Sequence, residues 1–247
     1  MQIFEPFIWG FDDLEAIFFM TLLLLLYFAD IPYLGNEVPF YLCRMTRKIW
    51  LAGQVVYIVC ATAIYTVAIL LSTILICGQR CYVGNIWSET AVKLAFTSAG
   101  KKLSLAASEK TLELTRPYAC MTTIFFLLFA YALVMVLLIF WFRILWNELA
   151  GMIAGVIFNG ISFIFSPGVL QKLLGISERK SYLANVAAGW ISPLSHATYH
   201  LHNFGYDRLP SLRASGIYDM ILVMVLILLN LYSIRTYHFV FDGTGER

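Results

Sequence analysis

The chain has 247 residues, of which 60% are hydrophobic and only 13% charged, with a net charge of +2 and a mean hydropathy of +0.78. A soluble domain carries roughly a quarter charged residues, so a water-soluble fold of this composition would expose more apolar surface than a monomer tolerates. The small net charge and the absence of a Lys/Arg block exclude a nucleic-acid footprint and point to one membrane domain over residues 1–247.

The opening Met1-Gln2-Ile3-Phe4-Glu5-Pro6 has no basic region and no small-residue cleavage site, which reads against a secretory signal. A spanning helix needs about 20 apolar residues. Residues 16–29 are strongly apolar but short, and they span only if 11–14 or 31–34 extend them. Residues 49–77 are long and apolar, with Gln54 near one end, and 119–142 contain no charge. Residues 149–165 are shorter and carry Asn159, and 217–234 carry Asp219 and Asn230. Length and Leu/Ala content favour helix over strand, and in lipid only a helix or a closed barrel satisfies its own backbone. The expectation is an all-α, polytopic transmembrane helix bundle of about five spanning helices, multi-pass in the cell membrane. The long segment 166–215, interrupted by Pro167, Pro193 and Pro210, predicts interfacial or re-entrant helices.

Charge gives an orientation. Glu5, Asp12, Asp13 and Glu15 precede the first apolar run without a base, whereas Arg44, Arg47 and Lys48 follow it. Basic residues in short loops stay in the cytoplasm, which places the N-terminal side outside and 44–48 inside. An odd helix count then returns the C-terminal side to the cytoplasm. The two long loops hold more bases than the short ones, but long segments translocate largely regardless of charge. The six tryptophans, Trp9, Trp50, Trp87, Trp141, Trp146 and Trp190, fall near the predicted ends, where amphipathic rings settle.

Small and polar residues within the runs read as packing or path positions: Gln54, Gly151, Gly155 and Asn159, with Thr62, Ser72 and Thr73. Gly151-x-x-x-Gly155 followed by Asn159 forms one helix face and suits a dimer or intrachain contact. Cys43, Cys60, Cys77, Cys81 and Cys120 form no CxxC pair, so no thiolate metal site is expected. Cys77, Cys81 and Cys120 flank one loop, which leaves a disulfide among them open.

A solute pump needs an energy source. Gly100-Lys101-Lys102 lacks the upstream glycine and the hydroxyl of a phosphate loop, so the chain is not expected to hydrolyse ATP. Ion-driven carriers bury ionisable groups deep in helices, and these runs offer almost none; Asp219 lies close to a helix start. The energy is therefore expected from a partner protein, docked on residues 30–54. Pro39 opens a short helix, Phe40 and Tyr41 offer apolar anchors, and Arg44, Thr46, Arg47 and Lys48 follow about one turn later. Aromatic and Arg anchors suit a docking surface; a basic loop on membrane lipid headgroups is the competing reading.

Ala29-Asp30-Ile31-Pro32-Tyr33, followed by Arg44-Met45-Thr46-Arg47-Lys48, Trp50 and Gly53-Gln54, resembles the cytoplasmic loop of Firmicutes-type permeases of the type-2 ABC-transporter class. Phe165-Ser166, Ser192-Pro193-Leu194-Ser195 and Pro210-Ser211-Leu212 are similar to the late loop of those permeases. The resemblance implies a transport subunit, not an enzyme. It would couple through the segment like 30–48 to a separate ABC-type ATPase that binds the ATP, and a second permease subunit, identical or homologous, would complete the path. It also implies a hydrophobic or peptide-like solute, export, no cofactor and no metal of its own, and an external hairpin from the segment like 166–213. Such permeases have six helices and a cytoplasmic N-terminus. This chain begins where their first external loop would be, so the resemblance implies either a shortened or split permease or a reading frame that starts late.

Two alternatives come from other residues. His196-x-x-x-His200-x-His202, with Asp207 downstream, would place His196 and His200 on one helix face for a metal, as in an integral membrane metalloenzyme. An ion-coupled carrier would need the buried carboxylates that the runs lack. A hydrolase is excluded, because the adjacent Ser195 and His196 would not face each other on a helix and no Gly-x-Ser-x-Gly is present.

Overall fold

A computed structural model describes residues 1–32, 44–97, 100 and 108–237; Pro39, Phe40, Tyr41, Cys43 and His238 lie outside them. The described residues form a bundle of α-helices with no named strand, only an isolated bridge between Gln2 and Tyr82. They are α1 (Glu5–Phe11), α2 (Leu14–Tyr27), α3 (Arg47–Cys77), α4 (Glu89–Phe96), α5 (Glu109–Leu114) and α6 (Pro117–Leu145), then α7 (Glu148–Ile164), α8 (Pro167–Leu173), α9 (Ser181–Ile191), α10 (Pro193–Ala197) and α11 (Leu212–Ser233).

Local chemistry sets the starts of these helices. The side chains of Asp13, Thr46, Asn147 and Ser211 accept a backbone N–H in the first turn of α2, α3, α7 and α11, each occupying one of the donors that a helix leaves unpaired. Pro117 opens α6, where its missing N–H costs nothing. Gly175, at φ +62, follows α8, and the Ile176 N–H bonds back to the Gln171 carbonyl, the glycine-ended stop of a helix.

Three helices are long and apolar enough to cross a membrane: α3 with 31 residues, α6 with 29 and α11 with 22. α7 and α8 reach that length only together, bent by 72° at the break between them, the geometry of a broken span or of a re-entrant loop. The first apolar run folds as α2, with 14 residues, or about 21 Å at 1.5 Å per residue, short of the roughly 30 Å hydrocarbon layer. Each of the five apolar runs of the sequence lies in a helix, but three of those helices are long enough to span alone, a fourth only if α7 and α8 form one bent span, and α2 falls short. The 166–215 segment holds α8, α9 and α10, all too short to span.

The passes alternate between two ends. Tyr82 bonds Met1, so α3 finishes beside the start of the chain. At the other end Tyr237, past α11, stacks on Trp50 near the start of α3. We call these the histidine end and the arginine end, after the side chains described below. The residues before α2 and those after α11 therefore sit at opposite ends of the bundle.

α6 is the axle. It has 61% of its apolar window buried, against 22% for α3 and for α11, and it packs on α3, α7, α10 and α11. The outer faces of α3 and α11 show Val56, Ile64, Leu71, Ile221, Met224 and Leu228, an apolar surface suited to acyl chains. Trp146 and Trp190 are exposed at opposite ends, whereas Trp9 and Trp50 are buried. Cys60, Cys77, Cys81 and Cys120 are free thiols.

Candidate functional site

At the arginine end, two guanidinium groups bracket the basic segment. Arg143, in the last turn of α6, is 3% exposed. Its Nη1 donates to the Phe28 carbonyl at 3.4 Å and to that of Ile31, and its Nη2 donates to the Ala29 carbonyl. The Phe28 carbonyl belongs to the cap residue of α2 and those of Ala29 and Ile31 follow it, at the helix end whose dipole favours a cation. Arg47, at the start of α3, donates from Nη1 to the carbonyls of Ile234 at 3.4 Å and Arg235 at 2.5 Å, just past α11. The segment 32–46 is therefore tied to α6 where it begins and to α11 where it ends. Arg44, Thr46 and Lys48 are exposed beside this junction.

Glycine makes room for the first of these ties. A Cβ on Gly151 would lie 2.5 Å from Arg143 Cγ and 2.8 Å from the Ile139 carbonyl. On Gly155 it would lie 2.6 Å from Leu25 Cδ2 and 3.1 Å from Ile139 Cγ1. The face Gly151, Gly155, Asn159 thus packs within the chain, on α6 and α2. Asn159 is fully buried; it accepts from the Tyr131 hydroxyl at 2.6 Å and donates to Thr21 Oγ1 at 2.8 Å. That chain of polar groups links α2, α6 and α7 inside the bundle. Gln54 is half-buried on α3.

Several buried polar atoms have no hydrogen-bond partner among the described residues, Thr62 Oγ1 and Asn230 Oδ1 among them, and one belongs to a carboxylate. Asp219, on α11, is 3% exposed, and its Oδ2 has no hydrogen-bond partner among the described residues. The sequence placed it near a helix start, but α11 begins at Leu212, which sets Asp219 two turns in.

At the histidine end, N-terminal carboxylates anchor the outer segments. Glu5, fully buried, accepts from Gln2 N at 3.0 Å and from Ser88 N and Oγ at 2.7 Å each. Asp12, 1% exposed, accepts from Thr111 Oγ1 at 3.0 Å, His200 N at 2.7 Å and His200 Nδ1 at 3.1 Å. Burial works against a charged His200, but these bonds to Asp12 outweigh it and hold its pKa above the ordinary histidine value. Lys110 bonds the His202 carbonyl at 2.8 Å and pairs with Asp207 at 2.6 Å. A cavity of about 470 Å³ lies between the α7–α8 bend and α9–α10, lined by Leu14, Phe163, Phe165, Asn185, Ser192 and Leu201 among others.

The helix face expected for His196 and His200 does not form. α10 stops at Ala197, and Thr198 is extended at φ −91, ψ 118. His200 therefore turns to Asp12, while His196 and His202 both turn to Ser215 Oγ, at 2.8 and 2.9 Å. The described residues contain no group of three or more His, Cys, Asp or Glu that could hold a metal.

The sequence offered no sign of the role of Arg143 and missed the buried roles of Glu5 and Asp12, read as flanking charges. Only the low charge content, which makes each ionised group near an apolar run conspicuous, hinted at them. No family model matches the chain, and no curated protein or solved structure matches it.

Proposed function

We propose that this chain is the membrane-spanning subunit of an ABC-type transporter, multi-pass in the cell membrane, that exports a hydrophobic or peptide-like solute. A separate ATPase docks on residues 30–48, and a second permease subunit completes the path. The observation that carries this reading is the pair of arginine ties: Arg143 and Arg47 fasten the two flanks of the basic segment to the ends of α6 and α11. A load applied to that segment has a physical route into the axle of the bundle. Nucleotide-driven movement of the ATPase shifts α6 and α11 as rigid elements between two arrangements. The apolar cavity at the histidine end suits a hydrophobic solute. Arg44, Thr46 and Lys48 present charge and a hydroxyl to the partner, and the segment's apolar anchors are Phe40 and Tyr41.

A photo-crosslinker at position 48 is expected to capture a chain that also binds a nucleotide analogue. Arg44→Glu with Lys48→Glu is expected to abolish that capture while insertion is kept. Undiminished capture of a nucleotide-binding chain by the double variant, or capture of lipid alone, contradicts the reading.

Asp219 favours a second reading, an ion-coupled carrier, because a buried carboxylate oxygen without a partner is the group such carriers use. Asp219→Asn separates the two. Loss of gradient-driven uptake without added ATPase supports the carrier, and its retention removes that reading.

A further inference from the structure

Backbone carbonyls only accept hydrogen bonds, so a ring nitrogen facing one carries the proton. His196 Nε2 faces the Trp190 carbonyl at 3.2 Å, and His202 Nδ1 faces the Tyr199 carbonyl at 3.1 Å. A neutral imidazole has one N–H, and each ring has already committed it. The remaining nitrogens, His196 Nδ1 and His202 Nε2, are bare, and both aim at Ser215 Oγ. The hydroxyl has a single proton to give. Four contacts need four hydrogens, and three neutral side chains hold three. Exposure of 1% for His196 and none for His202 and Ser215 leaves no contact with bulk water to make up the difference.

We propose that His196, Ser215 and His202 form a binding site for one proton, shared between two imidazoles through the Ser215 hydroxyl. With the proton bound, one ring is an imidazolium that donates to Ser215 Oγ, and the hydroxyl donates to the other ring. Transfer from ring to ring breaks one N–H and forms one N–H, while the hydroxyl passes one hydrogen on and receives another. Charge and atoms balance, with the proton drawn from the medium.

The neighbours suit a guest of this charge. Asp219 follows Ser215 by one turn on the same face of α11, where residues four apart are neighbours, and its Oδ2 is unpartnered among the described residues. The Tyr218 ring stacks on His196 at 4.3 Å between centroids. Asp12 acts on His202 electrostatically but is bonded to His200 and Thr111. The Lys110 ammonium sits on the His202 carbonyl, paired with Asp207, and Tyr199 and Cys120 lie on the α6 side. Burial holds both rings below the ordinary histidine value, so the proton enters on the acid side of neutrality. Its occupancy decides how firmly α10 and the turn after it are held to the first turn of α11.

The test is a nitrogen-15 NMR titration of the histidine rings in the full chain in bicelles, from about pH 8 to about pH 4. The expected result is one proton per chain, with the His196 and His202 signals moving together at one midpoint. Ser215→Ala is expected to split them into two independent titrations. In His202→Gln the carboxamide N–H donates to Ser215, the count closes without a guest, and proton uptake at His196 is lost while the helical circular dichroism is kept. That second variant decides if Ser215→Ala does not fold. Separate midpoints in the unaltered chain, nitrogens that stay bare down to about pH 4, or a stoichiometric divalent metal lost in His196→Gln would each overturn the proposal.

Discussion

The two ends of this bundle are held by different chemistry. At the arginine end, single cations rest on backbone carbonyls: Arg143 on the end of α2 and Arg47 on the end of α11. At the histidine end, carboxylates, hydroxyls and imidazoles meet side chain to side chain, with Asp12 joining α5 to the turn after α10 and Glu5 joining the start of the chain to Ser88. A guanidinium on carbonyls has several equivalent acceptors within reach, so it can hold a segment through a small displacement. A carboxylate that accepts three directed bonds cannot. One end therefore tolerates a small displacement and the other resists it.

The largest expected effect breaks the arginine end. Arg143→Ala leaves the acceptors at the end of α2 without their cation and is expected to cost about 3 kcal/mol. It is measured as a fall in thermal stability in detergent, and a change too small to detect would show that the tie bears no load. Next come the glycines. Gly151→Leu and Gly155→Leu drive carbon into Arg143 and Leu25 and are expected to cost about 1–3 kcal/mol each. Gly160→Ala, with open space around it, is expected to stay within about 0.5 kcal/mol. Equal effects at the three positions would refute the close approach of α7 to α6 and α2.

A smaller effect sharpens the histidine end. His200 has its pKa raised in the folded chain, so its contribution to stability is full below the unfolded value of about 6.5 and fades as pH rises through the folded one. Asp12→Asn is therefore expected to cost more stability at about pH 6 than at about pH 9, read by thermal unfolding at both. An equal cost at the two pH values would show that His200 is neutral there. Arg47→Ala is expected to cost about 0.5–1 kcal/mol, as for an exposed cation, with a larger change in transport than in stability if the tie transmits motion.

Much of the fold was legible in the sequence because hydropathy alone marks a helix in lipid. The run 119–142 became Pro117–Leu145 and the run 49–77 became Arg47–Cys77, the ends differing by the caps. The breaks at Pro167 and Pro193 opened α8 and α10, as their rings require. The sites were less legible. The bond from Arg143 to Ile31 crosses 112 residues, and no local pattern announces such a contact. The spacing of His196 and His200 promised a shared face, but that rule holds only while the helix continues, and α10 ends between them. Asp219 was misplaced because Leu212–Gly216, too polar to count as apolar run, is the first turn of α11.

The proposed function requires the arginine end to face the cytoplasm, where an ATPase can reach it. In a chain whose five cysteines are replaced, Thr46→Cys and Tyr206→Cys can be exposed in turn to a membrane-impermeant maleimide. The account predicts that position 206 reacts in intact cells and position 46 only after the membrane is opened. Reaction of position 46 in intact cells would contradict it.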